Sequence, residues 1–330
     1  SALSWTMPFQ NATAGAITEF VIIGFNGTQH PKTVGFIILT IYFLILLGNT
    51  TNICIIARDR RLHTPMYFFV SNLAVVDIIR STSTSPTMII ILLADMTTIS
   101  YKPCLTQMFI STLGDMMEVF TITLMAYDRL VAISNPLRYH SVLTKTRISL
   151  LTISSWALAS ALIAVFTGIA DRLPFCQPTL QYAFCDYAAL VSAACVNPEI
   201  LLLLPSMISL VVIFCSLLFI LISYINIIFA VLNISSSADR KKMYSTCLSH
   251  LIVVACVFAP PFIGIMLKRS GFSLRLSDRH ILIIVCTLGP SLLNPFVYCF
   301  RTKEIRYQLF SVFNTFVTNK YIVFKLHLTK

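Results

Sequence analysis

Apolar residues run in long blocks along this chain, and the polar residues gather between them. A helix that crosses a bilayer needs about 20 mainly apolar residues. The blocks at 34–57, 66–93, 104–131, 148–170, 198–231, 241–267 and 279–300 meet that length. They are apolar on all sides, so helical periodicity adds little; a membrane helix has lipid or protein on every face. The pattern predicts an all-α membrane protein, a seven-transmembrane helix bundle. Residues 1–33 form an extracellular tail, 34–300 the bundle, and 301–330 a cytoplasmic segment. QLFSVF, from Gln308, reads as a short amphipathic helix lying on the inner leaflet.

Composition agrees. The 330 residues are 57% hydrophobic and 11% charged, with a mean hydropathy of +0.83. Soluble domains carry about 25% charged residues, so a water-soluble core is excluded. The net charge of +11 does not point to nucleic acid, because the basic residues lie between the spans. Of 24 Lys and Arg, sixteen fall in the segments that are inside when the N-terminus is outside. Seven fall outside, and Arg80 alone lies within span 2. That asymmetry sets the orientation. Residues 1–33 have no basic start followed by an apolar core, so span 1 is expected to act as the signal.

The sequons Asn11-Ala-Thr and Asn26-Gly-Thr lie in the outer tail and are expected to be glycosylated. Asn49-Thr-Thr and Asn233-Ile-Ser match the pattern on the wrong side or inside a span. Four of the ten cysteines are outside: Cys104, Cys176, Cys185 and Cys195. The outer medium is oxidising, and four cysteines allow three connectivities. The remainder lie in or near spans and read as small buried residues.

The charged and polar residues within the spans carry the chemistry. MAYDRLVAISNPLRY, Met125 to Tyr139, places Asp128-Arg129 at the inner end of span 3. Gly48-Asn49 lies in span 1, and LHTPMYFFVSNLAVVD, Leu62 to Asp77, opens span 2. Ser223-Tyr224 closes span 5, KKMYSTCLSHL opens span 6 at Lys241, and PSLLNPFVY ends span 7 at Pro290 to Tyr298, followed by RTKEIR. These blocks, in this order, resemble the odorant (olfactory) receptor family of rhodopsin-like G-protein-coupled receptors. Arg172-Leu-Pro-Phe-Cys176 and Lys268-Arg269 resemble its fish-like class (class I), which detects water-soluble odorants. Leu130, Ser134, Ala74 and Lys242-Met243-Tyr244 depart from the family pattern, which puts coupling strength in doubt but removes no charge from the switch.

The resemblance implies several things. Cys104 would pair with Cys185 and Cys176 with Cys195. A sodium ion would sit between Asp77 and Glu118, with Asn294 as neighbour. Two facing carboxylates must share a proton or bind a cation, and a neutral protonated pair is the alternative. Asp128 and Arg129 would form a local pair at rest. On activation Arg129 would turn to Tyr224 while helix 6 swings outward. His250, Pro295 and Tyr298 belong to the same switch and G-protein-coupling set. Pro frees a backbone carbonyl and allows a kink, at Pro295 and again at Pro260-Pro261; a static bend is the other reading.

The ligand pocket is expected in the outer half of the bundle. Met108, Ser111, Thr112 and Asp115 share one face of helix 3 by spacing. Phe262, Ile265 and Arg269 follow on helix 6. Arg269 suits an acidic group on the odorant, or else it faces water or Asp278. Asp115 suits a ligand amine, or shares a proton one turn from Glu118. The expected function is therefore odorant reception, with a stimulatory olfactory-type G protein, the lipid bilayer and no nucleic acid as partners. The resemblance places it in the plasma membrane of olfactory cilia. A metabolite-sensing receptor expressed outside the nose stays open. A transporter would want internal repeats or paired broken helices, which the chain does not show. An enzyme would want a nucleophile–base or metal constellation. His63, His140, His250 and His280 are scattered, so no enzyme and no cofactor beyond the sodium ion are expected.

Overall fold

The computed structural model describes residues 17–232, 236–269, 276–301 and 306–307. Its long helices are α1 (Pro31–Arg58), α2 (Pro65–Ala94), α3 (Tyr101–Ser134), α4 (Lys145–Ala170), α5 (Pro198–Leu232), α6 (Ser237–Arg269) and α7 (Leu276–Arg301). Each contains one predicted span and extends it by a few residues. The shortest have 26 residues, about 39 Å at a rise of about 1.5 Å, against a hydrocarbon core about 30 Å thick. Among the described residues, five helices, α1 to α5, hold an apolar stretch long enough to cross a membrane; α6 and α7 hold shorter ones, Cys247–Ala259 and Ile284–Tyr298.

Local chemistry sets the starts. Pro31 and Pro65 occupy the first turns of α1 and α2, where a missing N–H costs nothing and φ is already helical. Thr144 caps α4 by accepting from the backbone N–H of Arg147 at 3.3 Å. Large apolar side chains stay exposed, among them Phe36, Phe43, Ile200, Phe214 and Phe229. In a membrane those faces meet lipid, so their exposure carries no penalty. The inner half of α5 buries one stripe, Ser216, Ile220, Ser223, Tyr224, Ile227 and Val231, at helical spacing.

The outer end carries a feature that hydropathy did not predict. Strand β1 (Glu19–Ile22) pairs antiparallel with β2 (Thr98–Ser100) and parallel with β3 (Thr179–Leu180), in the order β2-β1-β3. Phe20 sits opposite Ile99, and Ile22 opposite Leu180. Phe20, Ile22, Phe25 and Leu180 are buried in one apolar cluster with Cys104, Cys185 and Leu190. The tail before span 1 is thus bound to both loops. A seven-residue helix, Tyr187–Ala193, completes this lid.

α1 and α7 approach closely. A Cβ on Gly48 would meet Pro295 Cβ and Cγ at 3.0 Å. Pro295 has no N–H for the carbonyl of Ser291, one turn earlier. Asn49 Nδ2 donates to that carbonyl at 3.2 Å and so satisfies the acceptor that Pro295 freed. Asn11, the helix expected after span 7, and the side chains of Lys241, Lys242, Pro260, Pro261, Ile265, Arg269 and Asp278 lie outside the described residues or side chains.

Candidate functional site

The middle of the bundle is built around Arg80, the one cation that sequence reading left without a role. Arg80 is 4% exposed and Glu118 3%. Its guanidinium Nη1 donates to Asp115 Oδ1 at 2.8 Å and lies 3.2 Å from Glu118 Oε2. Nη2 donates to Ser291 Oγ on α7 at 2.9 Å. Gly114 makes room for the stem: a Cβ there would come within 2.8 Å of Arg80 Cβ and 3.0 Å of Cγ. Asp77, fully buried one turn before Arg80, accepts from Asn294 Nδ2 at 3.0 and 3.3 Å. A lone cation inside a span is itself a signal of function, and it was the signal that could have found this centre.

The expected sodium position has to be weighed against that guanidinium. Hard cations want oxygen ligands. Glu118 Oε1 and Asn294 Oδ1 are buried and without a hydrogen-bond partner among the described residues. A proton or a water satisfies them as well as an ion does. Two unit charges about 4 Å apart interact by about 4 kcal/mol at an effective dielectric of about 20. The fixed positive charge of Arg80 therefore cancels what one carboxylate would offer a second cation. Glu118 already spends Oε2 on Arg80, and Asp77 accepts from Asn294 through both oxygens. These residues fit a guanidinium in place and fit a free ion poorly.

The predicted pocket face is partly formed. Met108 and Ser111 are buried, and Ser111 and Thr112 both donate to the Met108 carbonyl, at 3.2 and 2.8 Å. Asp115 differs from its neighbours: its side chain is 64% exposed. Ser111 and Glu118, on the same helical face, are buried, and the exposed Asp115 carboxylate stands 2.8 Å from Arg80 of α2. Asp186, at the start of the lid helix, holds the Tyr187 N–H at 2.8 Å. Desolvation raises its carboxyl above the usual value, and the charge of Asp115 pushes the same way, against the backbone N–H groups of Tyr187 and Ala188. Phe262 is exposed. The structure brings Asp115 to Arg80 of α2; the side chain of Arg269, the expected acid anchor, is outside the described ones. A separate open groove of about 540 Å³ runs between α2 and α3, lined by Thr87, Lys102, Thr106 and Ile110. It shares none of the predicted pocket residues.

At the inner end, Asp128 is buried, and its close partner is Tyr139, which donates to Oδ1 at 2.7 Å. Arg129 Nε stands 3.9 Å from Asp128 Oδ2. The expected Asp128–Arg129 pair is therefore loose, and a tyrosine from the following loop takes the short bond. Burial raises the Tyr139 hydroxyl far above its ordinary value, and the facing Asp128 carboxylate adds to it. The Tyr224 hydroxyl lies 2.8 Å from His250 Nδ1 and 3.1 Å from the Cys247 carbonyl, two acceptors that share its one proton. His250 Nε2 is 3.1 Å from the Ile122 carbonyl of α3. A carbonyl only accepts, so Nε2 carries the proton. His250 thus ties α6 to α3 and to α5, and its ring stacks on Tyr224. Tyr298 is buried, with its hydroxyl 3.6 Å from Met125 Sδ.

Outside, Cys104 is bonded to Cys185 and Cys176 to Cys195, closing sequence separations of 81 and 19. Gln107, unremarked in the sequence, fixes the first bridge. It accepts from the Cys185 N–H at 2.8 Å and donates to Ser83 and Thr87 of α2 at 2.7 Å. Asn26 is exposed in a turn that Gly27 permits with φ of 89°.

Comparison with known proteins gives the family-level likeness. The olfactory receptor family model matches residues 38–315. The chain is 36% identical to olfactory receptor 6F1 of Homo sapiens over 295 residues, covering 88% of this chain and 94% of that protein. It is 37% identical to olfactory receptor 6N1 of Homo sapiens over 293 residues, covering 88% and 93%. Against olfactory receptor 2A7 of Mus musculus it is 34% identical over 304 residues, covering 91% and 96%.

Proposed function

Because the chain belongs to the olfactory receptor family, whose members are multi-pass plasma-membrane receptors and not enzymes, we propose that it binds a small water-soluble odorant in the outer half of the bundle. Binding drives α6 outward, and a stimulatory olfactory-type G protein exchanges nucleotide. The observation that carries the ligand reading is Asp115, an ionisable side chain that stays exposed beside the buried Ser111 and Glu118 of the same helix. Polar recognition at that depth suits a ligand that brings its own charge or hydrogen bonds. Arg269 is the anchor for an acidic group; Asp115, exposed but already bonded to Arg80 through Oδ1, is the anchor for an amine that shares its carboxylate with that guanidinium.

The inner end supports the switch reading. For α6 to leave, His250 must release Ile122 and Tyr224, and Tyr224 then becomes available to Arg129. Arg129 is poorly held at rest: Nη2 has no hydrogen-bond partner among the described residues. A two-state element with weak ties on one side is what a ligand on the far side can bias. Asn11 and Asn26 carry the sugar in this reading.

The test is cAMP accumulation in cells expressing the chain with that G protein, across carboxylic acids, amines, amino acids and neutral volatiles. The acid anchor predicts a response to acids that disappears in Arg269→Ala. The amine anchor predicts a response to amines that disappears in Asp115→Asn. A response to neutral volatiles that survives both variants keeps the receptor and rejects both anchors. Silence of every ligand class, with the receptor at the surface and the G protein responsive, rejects this coupling.

A further inference from the structure

We propose that Arg80 is the resident counter-cation of the Asp77–Glu118 pair, and that its guanidinium takes the place of a free sodium ion in the resting protein. Four independent observations meet at this residue. Arg80 is buried, and Nη1 contacts Asp115 and Glu118 of α3. Nη2 reaches Ser291 of α7. Gly114 leaves the gap through which the stem passes, and no larger residue fits there without displacing Arg80. Asp77 stands one helical turn away on the same helix, close enough for the two charges to interact.

The guanidinium keeps its charge at every accessible pH, and it cannot diffuse away. A free ion would have to shed water and enter beside a fixed positive charge. The tether thus makes the central charge balance a property of the chain and not of the medium. It also ties α2 to α3 and α7 at mid-membrane, where a sodium ion would release them whenever its concentration fell. Within the Asp77–Glu118 pair, the negative charge that Arg80 does not balance is met by one shared proton, while the charge of Asp115 is left to its exposed side.

The experiment is thermal unfolding of the purified full-length receptor in detergent, in sodium chloride and in choline chloride at equal ionic strength, about 0.15 M. The wild type is expected to unfold at the same temperature in both. Arg80→Gln is expected to unfold at a lower temperature in choline and to recover about 2–4 °C in sodium, because the vacated site then binds the ion. Adding Asp77→Asn should abolish that recovery. A wild-type midpoint that rises saturably with sodium and not with choline overturns the proposal. So does an Arg80→Gln receptor as stable as wild type in choline. If Arg80→Gln does not accumulate, the wild-type comparison decides alone. No odorant or G protein enters the measurement, so it fails or succeeds separately from the receptor reading.

Discussion

The centre of the bundle and its inner end are held in different ways. At the centre, a buried guanidinium bridges carboxylates and a serine on α3 and α7. At the inner end, α6 is held by the neutral contacts of His250 with Ile122 and Tyr224. Removing one partner of a buried ion pair costs about 3–5 kcal/mol, because the other charge is left without compensation. A neutral hydrogen bond contributes about 0.5–1.5 kcal/mol. The first kind of contact suits a part that must not move. The second suits a part that a ligand of ordinary affinity must release. The stronger contacts thus lie at the centre, and the weaker ones lie where the proposed movement of α6 would separate the helices.

The largest effect should come from the centre. Arg80→Met is expected to cost about 3–5 kcal/mol and to reduce surface expression strongly. Glu118→Gln in the same chain should restore part of it, read by flow cytometry of an N-terminal epitope tag. If the double variant is no better than Arg80→Met alone, the two side chains are not coupled. Tyr139→Phe comes next. It removes a hydrogen bond to a charged group, about 1.5–3 kcal/mol, and leaves Asp128 only Arg129. Thermal stability should fall, and the maximal cAMP response should fall with it, since Arg129 is then held more firmly. An unchanged response would mean that Asp128 does not restrain Arg129. The smallest change in stability is expected from His250→Phe, which loses neutral contacts of about 0.5–1.5 kcal/mol each yet keeps a flat ring beside Tyr224. Its signalling should change most: basal cAMP rises with surface expression nearly unchanged. Basal activity equal to wild type would show that these contacts do not hold α6.

The inner-end motifs were legible before the structure because they are local. Asp128-Arg129, Ser223-Tyr224 and His250 are contiguous strings on three helices, and the structure brings Tyr224 to within 2.8 Å of His250. Tyr139 follows Asp128 by eleven residues, and nothing in that spacing shows that it, and not Arg129, takes the short bond to Asp128. Its role depends on how the loop after α3 folds back. Gln107 has the same history: its three short bonds to Cys185, Ser83 and Thr87 join elements far apart in sequence. Arg80 is visible in the sequence as the one Lys or Arg away from the ends of the spans, but its partners are not. That Asp115 and Glu118 both face Arg80 is not visible in the sequence, because helix 3 read alone does not show what packs against it.

The sequence by itself determined the seven spans, their orientation and the family, because hydropathy, loop charge and contiguous motifs are written along the chain. Tertiary structure alone decided the three-stranded lid that binds the outer tail, the filling of the freed Ser291 carbonyl by Asn49, and the meeting of Arg80 with Glu118 and Asp115. Each of these depends on which faces of separate helices turn toward one another. In a membrane that rotation is set by close packing at small residues such as Gly48 and Gly114 and by the need to pair buried polar groups. Apolar composition, the same on every side of the helix, carries no record of it.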